Sequence, residues 1–246
     1  MNSTTKFVSK AVQLLDIASR TFAINEIELP ELADDQILIQ TITSTIDTLD
    51  YKKILGKVPN LPLPFTPGLE SFGKVIATGS KATSFLGKHV AAWTFDGSVK
   101  SLAISNIRRV MILPESVNPE LASMAFINPL TVLGLLEFAQ PDVAIINNSA
   151  NSSVGRMISK VCKFKGISLI NIVRSEEKAS ELKADGDHYV LNSSDEKFLP
   201  QLQELAAKLN AKLFLDAVAG DLSGDILGVL PPNSKMVGYG NISGLK

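Results

Sequence analysis

A buried strand, a polar loop and an amphipathic helix follow one another near the middle of the chain, and few folds accommodate this succession. The segment from Asp142 to Asn148 contains Val-Ala-Ile-Ile, which is typical of a strand buried in a parallel sheet. From Val154 to Cys162 the apolar residues recur at spacings of three and four, so we predict a helix with one buried stripe, ending at Gly166.

The same alternation of strand and helix continues toward the C-terminus. Each predicted strand is short and apolar, and each predicted helix carries spaced apolar residues. Repeated strand–helix units predict an α/β domain with an open, doubly wound parallel sheet that is covered on both faces. The further strands are predicted at Ser168–Val173, His188–Leu191, Lys212–Leu215 and Ser234–Val237, and the further helices at Lys197–Leu209, at Asp221–Leu230 and from Ser175.

The first half of the chain has a different pattern. Short runs rich in Val, Ile, Leu and Thr are separated by turn residues, which predicts a small barrel or sandwich. The change of pattern near Ala122 predicts two domains, residues 1–122 and residues 123–246. The runs that we predict as strands are Lys10–Leu15, Gln36–Ile42, Gly73–Ala77 and His89–Trp93.

Composition argues against several classes of partner. A formal net charge of −1 leaves no basic excess for nucleic acid, and no apolar run approaches the roughly 20 residues that a membrane span needs. The single cysteine, Cys162, can form no intrachain disulfide, which fits a reducing compartment. Because the apolar pattern begins at Phe7, too few residues precede it for a targeting segment, so we expect a cytoplasmic protein.

The loop between the central strand and its helix has the position of a phosphate-binding turn. In dinucleotide-binding folds this turn carries G-x-G-x-x-G, and here the three glycine positions hold Ala150, Ser152 and Gly155. A helix N-terminus offers free N–H groups and the positive end of a dipole to an anion. Capping alone and phosphate binding both stay open, although the loop has more polar residues than one cap needs, namely Ser149, Asn151, Ser152 and Ser153.

The end of the next strand bears on the choice of cofactor. An NAD-binding fold places an acidic residue about 20 positions after the loop, where it binds the ribose hydroxyls. At that place the chain has Arg174 followed by Ser175. A guanidinium suits a 2′-phosphate and cannot replace a carboxylate, so this position favours NADP(H) over NAD(H). The alternative is a surface arginine without a ligand.

Several motifs follow one another along the chain, namely PGLESFGKV at residues 67–75, NPLT at 128–131, SANSSVG at 149–155, INIVR at 170–174, DAVAG at 216–220 and VGYGNISG at 237–244. In this order they resemble the motifs of the medium-chain dehydrogenase/reductase superfamily. The resemblance extends over essentially the whole sequence and is to the zinc-free quinone oxidoreductases and the 2-enoyl thioester reductases in particular.

The resemblance implies a GroES-like barrel domain followed by a Rossmann domain that binds NADP(H). It also implies a role for each residue that matches a family motif, and it gives Thr131 a part in catalysis. The implied residues are Asn128 and Thr131 at the nicotinamide, Asn151, Ser152, Ser153 and Val154 at the pyrophosphate, Arg174 and Ser175 at the 2′-phosphate, and Tyr239 and Gly240 on the nicotinamide ribose side.

The chain departs from the zinc-dependent members of the superfamily. Those enzymes need a set of cysteine, histidine and acidic ligands. This sequence has one cysteine, Cys162, on a predicted helix, and only two histidines, His89 and His188. We therefore expect no catalytic metal. Cys162 is interpreted as a core residue and the two histidines as packing or surface residues.

The chain also departs from the enoyl reductases at their proton donor. These enzymes carry a tyrosine just after a glycine in a stretch similar to residues 54–59, and here that position is Val58. Valine has no proton to donate, so Tyr51 is the best substitute, with simple packing as its alternative role. The N-P-x-D signature is altered as well, because Asp47 begins the corresponding stretch and puts an acid at the expected substrate wall.

The predicted sheet has five strands where this fold commonly has six, which would leave its last strand at an exposed edge. A shortened sequence, a degenerate protein and a partner that covers the edge are the three explanations. The resemblance implies hydride transfer from NADPH to a quinone or to a conjugated enone or enoyl thioester, and often a homodimer. The alternative is a regulatory or interaction protein that binds NADPH without turnover.

Overall fold

Antiparallel strands build the first of the two units into which the chain divides, the one that ends at Ile127. The computed structural model describes residues 6–94 and 96–244. The strands of this unit are β1 (Val8–Asp16), β2 (Thr21–Glu28), β3 (Gln36–Ser44), β4 (Glu70–Thr78), β5 (His89–Trp93), β6 (Leu102–Asn106) and β7 (Val110–Leu113). β1 and β2 form a hairpin, and the other five form an antiparallel sheet in the order β6-β3-β4-β5-β7.

The core of the first unit follows from the alternation of side chains along its strands. On β3, Ile37 and Ile39 point to the same face of the sheet and are fully buried, and they pack with Val75 of β4 and Val90 of β5. Two short helices lie outside this sheet, α1 (Thr48–Ile54) and α2 (Pro119–Ala122). The β-rich first half that the sequence predicted is confirmed, whereas β2, β6, β7 and α1 were not among the predicted elements.

Parallel strands build the second unit, which begins at Asn128. They are β8 (Ala144–Asn147), β9 (Leu169–Val173), β10 (Tyr189–Asn192), β11 (Ala211–Asp216) and β12 (Lys235–Gly238), in the order β10-β9-β8-β11-β12. The helices are α3 (Ile127–Leu136), α4 (Ser153–Lys165), α5 (Glu176–Ala184), α6 (Phe198–Lys208) and α7 (Asp221–Val229). The doubly wound sheet predicted from the sequence is confirmed.

Both faces of this sheet are buried, which explains the unbroken apolar runs. Ile146 and Phe214 face a core that α6 and α7 complete, and Ile145 and Leu215 face a second core with α3 and α4. Every residue of β8 and of β9 is buried. Within the described residues, no helix is both long and apolar enough to span a membrane.

Two helix ends are as the sequence predicted. Gly166 ends α4 in the left-handed conformation, with a φ of 68°. Ser175 caps α5, because its Oγ accepts a hydrogen bond from the backbone N–H of Lys178 at 3.3 Å. α3 was not predicted. The two compact units of the structure meet between Ile127 and Asn128. The domain boundary near Ala122 stays a prediction.

Candidate functional site

The order of the strands creates a crevice at the carboxyl ends of β8 and β11. From β8 the chain proceeds outward to β9 and β10 on one side, and it then returns to β11 and β12 on the other. Loops that leave β8 and β11 therefore turn away from each other. Ligands of open α/β sheets bind at such a switch point, outside the carboxyl ends of the strands.

The polar loop after β8 begins α4 at this crevice. Ser152 is the N-cap, with its Oγ accepting from the Gly155 N–H at 3.1 Å. Asn151 and Ser153 are exposed and take no part in this cap. The N–H groups of Ser153 and Val154, at the first two helical positions, have no carbonyl one turn earlier in the helix to bind. The loop therefore combines a satisfied cap with further donors that face outward.

Gly155 allows the helix to lie close to the loop. A Cβ at this position would lie 2.6 Å from the carbonyl oxygens of both Ser149 and Ala150. The loop is also fixed to the neighbouring strand, since the Ala150 N–H donates to the Ile172 carbonyl at 3.2 Å. Only glycine fits where the third glycine of the fingerprint was expected.

Arg174 follows the last residue of β9 and is exposed. Its backbone is held from the next strand, because Ser194 Oγ donates to the Arg174 carbonyl at 2.9 Å. Among residues 6–94 and 96–244, no acidic side chain forms an ion pair with the Arg174 guanidinium. An exposed cation without a partner, on a fixed backbone, is available for an anionic ligand.

Asp216 and Asn148 join the two strands of the switch point. Asn148 Nδ2 donates to Asp216 Oδ1 at 2.5 Å, and Asn148 Oδ1 accepts from the Ala217 N–H at 2.7 Å. Asp216 Oδ1 also accepts the N–H groups of Val218 and Ala219 at 2.9 and 3.1 Å. Burial opposes ionisation, but these donors outweigh it and hold the pKa of Asp216 below its usual value.

Tyr239 and Gly240 follow β12 and pack against the end of β11. The Tyr239 N–H donates to the Asp216 carbonyl at 2.8 Å, and a Cβ on Gly240 would lie 2.7 Å from the Ala217 carbonyl oxygen. The Tyr239 hydroxyl donates to Asn147 Oδ1 at 3.4 Å. Burial, with the charge of Asp216, raises the pKa of Tyr239 to about 12. The phenol is therefore neutral and turned into the protein.

Asn128 and Thr131 lie three residues apart on α3, so they share one face of that helix. Both are half-buried. The structure thus brings the loop after β8, Arg174, Ser175 and Tyr239 to the carboxyl ends of the parallel strands, and it places the other two predicted residues on the helix that precedes β8. The roles assigned to all of them stay predictions.

Tyr51 lies on α1 in the first unit, with its side chain 59% exposed. Val58 follows that helix in a loop and is half-buried. Asp47, which the sequence placed at a substrate wall, is the N-cap of α1 and accepts from the N–H groups of Leu49 and Asp50 at 2.8 and 3.2 Å. A capping role accounts for the acid at this position without a ligand.

Two buried carboxylates of the first unit were not recognised from the sequence. Asp50 is fully buried and its Oδ2 accepts from the Asp47 N–H at 3.2 Å. Glu70 is 4% exposed and its Oε2 accepts from the N–H groups of Phe126 and Ile127 at 3.3 and 2.9 Å. Burial raises the pKa of both carboxyls.

Cys162 lies in the core, where burial raises the pKa of its thiol to about 11. His89 Nδ1 lies 3.5 Å from Glu115 Oε1, and His188 is exposed beside Tyr189. Across the described part of the chain, no group of three or more His, Cys, Asp or Glu residues is arranged to hold a metal ion.

Asp216 and Asn148 are the functional candidates that sequence reasoning did not assign. The available signal was position, because each residue stands at the predicted carboxyl end of a buried strand. Their contact joins residues 68 positions apart and follows from the strand order, which no local pattern reveals.

Comparison with known proteins finds relatives by sequence and by structure. A family model described as the alcohol dehydrogenase GroES-like domain matches residues 33–109. The mitochondrial enoyl-[acyl-carrier-protein] reductase of Caenorhabditis elegans is 31% identical over 220 residues, which are 85% of this chain and 62% of that protein. The chain therefore spans less than two thirds of the length of this relative.

Solved structures of quinone oxidoreductases share the fold. The enzyme of Pseudomonas syringae pv. tomato superposes with a TM-score of 0.85 at 25% identity, covering 95% of this chain and 74% of that one. The quinone oxidoreductase of Escherichia coli, solved in complex with NADPH, superposes with a TM-score of 0.83 at 23% identity, covering 96% and 74%.

Proposed function

Since the chain belongs to the medium-chain dehydrogenase/reductase superfamily, we propose that it is a zinc-independent, NADPH-dependent oxidoreductase. Its acceptor is a quinone or a conjugated enone or enoyl thioester. The proposal is carried by a donor-rich helix N-terminus together with an arginine, at the end of the next strand, that forms no ion pair within residues 6–94 and 96–244. These two features match the pyrophosphate and the 2′-phosphate of NADPH.

The loop after β8 fits a pyrophosphate. Asn151, Ser152, Ser153 and Val154 offer backbone and side-chain donors at the positive end of α4. The space above the loop depends on Gly155, because a larger residue would displace the helix from the carbonyl oxygens of Ser149 and Ala150. Ser152, in place of the second glycine of the fingerprint, keeps this cradle polar and adds a hydroxyl.

Arg174 and Ser175 fit the 2′-phosphate that distinguishes NADPH from NADH. The guanidinium supplies the charge, and the Ser175 hydroxyl lies at the N-terminus of α5. Glu176 and Glu177, in the first turn of that helix, would repel a phosphate. Their ion pairs reduce this repulsion, at 3.7 Å to Lys183 and at 3.6 Å to Lys178.

When bound, NADPH supplies the hydride, so the protein has to bind, orient and polarise. Asn128 and Thr131 offer an amide and a hydroxyl from one face of α3, and we assign them to the nicotinamide end of the site. A polarising donor at the acceptor carbonyl stabilises the charge that develops there. Tyr51, or water, then supplies the proton when the acceptor is an enone.

Quinone reduction is the chemistry that the replaced tyrosine disfavours least. Val58 cannot donate a proton, and Tyr51 is largely exposed on α1. A quinone needs no dedicated protein acid, because its reduced oxygens take protons from water. The second candidate, an NADPH-binding regulatory or interaction protein, is favoured by Val58 alone, since Asp47 is explained as a helix cap.

Turnover discriminates the two candidates. NADPH oxidation is followed with a panel of quinones, enones and an enoyl thioester, with the cofactor bound at saturation. Reduction of a quinone or an enone above the uncatalysed rate supports the oxidoreductase. Binding of NADPH with no turnover on any acceptor supports the regulatory protein instead. A homodimer and a cytoplasmic location also stay proposals, and the first is tested by light scattering.

A further inference from the structure

Asp216 is a buried anion without a cationic partner in the described part of the chain. It is 3% exposed, and it accepts hydrogen bonds from one amide side chain and two backbone N–H groups, while the Ser223 side chain also helps to lower its pKa. No lysine, arginine or histidine among residues 6–94 and 96–244 forms an ion pair with it. Because its pKa is lowered, the carboxylate stays charged at neutral pH.

A buried charge that only dipoles compensate is costly, and proteins keep such groups mostly where a ligand or a reaction uses the charge. Asp216 is the last residue of β11, so it stands at the switch point where α/β sheets bind their ligands. Its Oδ1 fixes the turn at Val218 and Ala219, and its carbonyl fixes Tyr239. The charge is therefore held in place by the same segments that border the crevice.

The cofactor of the proposed function differs in charge between its two oxidation states. The nicotinamide ring is neutral in NADPH and carries one positive charge in NADP⁺, whereas the phosphates are the same in both. A fixed anion at the crevice acts on the phosphates equally in the two states. It distinguishes them only through the ring.

We propose that Asp216 is a specificity-determining residue for the oxidation state of the cofactor, with its carboxylate stabilising bound NADP⁺ over bound NADPH. The proposal rests on the proposed function, since it requires that the crevice binds this cofactor. The positively charged nicotinamide ring of NADP⁺ would then be the cationic partner that Asp216 lacks among the described residues. The same electrostatic attraction favours the loss of hydride from the ring.

Asp216→Asn tests this with little change of contacts. All the hydrogen bonds described above end on Oδ1, which asparagine keeps. Dissociation constants for NADP⁺ and NADPH are measured by calorimetry on wild type and variant at one ionic strength. We expect NADP⁺ binding to weaken about tenfold and NADPH binding to change less than about twofold, as for a single partly screened charge. Equal changes for the two forms would overturn the proposal.

Asp225→Asn is the matched control, because it removes one negative charge from an exposed position of α7. Water screens that charge, so its loss leaves the ratio of the two dissociation constants unchanged. A ratio that shifts as far in this control as in Asp216→Asn also overturns the proposal, since net charge would then be the cause.

A second variant decides the matter if Asp216→Asn does not fold, as judged by a thermal melt. Exchanging the pair, Asn148→Asp with Asp216→Asn, keeps one amide and one carboxylate in contact and moves the charge to the neighbouring strand. We expect the affinity ratio to change at least about threefold. An unchanged ratio in the folded double variant overturns the proposal. Wild type that binds neither form overturns the proposed function as well.

Discussion

Arg174 is the side chain to which we assign the 2′-phosphate of the cofactor. Removing a charge-assisted hydrogen bond to a phosphate costs about 1.5–3 kcal/mol. We therefore expect Arg174→Ala to weaken NADPH binding about ten- to a hundredfold and to leave NADH binding nearly unchanged, as measured by fluorescence titration. Lys160→Ala, at an exposed position of α4, is the control for general loss of charge. If Arg174→Ala weakened NADPH and NADH binding equally, the assignment of the 2′-phosphate to Arg174 would be wrong.

Tyr51 is the residue that we propose as the proton donor to an enone. If it donates the proton to an enone, Tyr51→Phe lowers that rate about ten- to a thousandfold. The rate with a quinone stays the same, because that acceptor takes its protons from water. The check compares kcat/KM on both acceptors, with Tyr189→Phe on β10 as the control. An unchanged enone rate would leave water as the donor.

Residues that act locally could be predicted from the sequence, and residues that act through the fold could not. Ser175 was predicted as the cap of α5 and Gly166 as the end of α4, because caps depend on a few neighbouring residues. Asp216 received no role, because its environment comes from Asn148 on another strand. The capping role of Asp47 was missed because α1 was not predicted.

At the scale of elements, Gly155 allows α4 and the loop before it to pack closely together. A methyl group there would overlap the carbonyl oxygens of Ser149 and Ala150, so we expect Gly155→Ala to destabilise the protein by about 1–3 kcal/mol. Cofactor binding weakens with it, because the loop must move. Gly224→Ala in α7 meets nothing within 4 Å and stabilises by up to about 1 kcal/mol. Urea unfolding of both variants measures the difference, and similar stabilities would show that the close approach is unimportant.

Elements with a clear apolar pattern could be predicted from the sequence, and elements without such a pattern could not. The parallel strands are short apolar runs, because both faces of the sheet are covered. β2 has no buried residue along its length, so its sequence lacks a clear inward face. α3 has apolar residues on most of its surface, with Leu130 and Leu133 about half exposed, and therefore shows no clear amphipathic stripe.

At the scale of the whole molecule, Asp50 and Glu70 link stability to pH. Burial raises their pKa above the usual values of 3.8 and 4.5, so the folded state keeps protons that the unfolded chain releases. The stability they contribute is complete below the unfolded pKa and is lost as the pH rises through the folded pKa. As the pH rises above about 4, we expect the free energy of unfolding to fall less for Asp50→Asn than for wild type.

Urea unfolding at a series of pH values measures this difference. Asparagine at position 50 can still accept the Asp47 N–H, so the helix cap is kept while the titrating group is removed. Parallel pH profiles for the variant and wild type would show that Asp50 is not the group responsible.

The proposed function depends on the binding of NADPH by the second unit, through the loop after β8 and Arg174. The most direct test is a fluorescence titration of the purified protein with NADPH and, separately, with NADH. We predict binding of NADPH in the micromolar range, with NADH at least about tenfold weaker because it lacks the phosphate that Arg174 would bind. Binding of neither cofactor, or equal binding of both, would contradict the assignment.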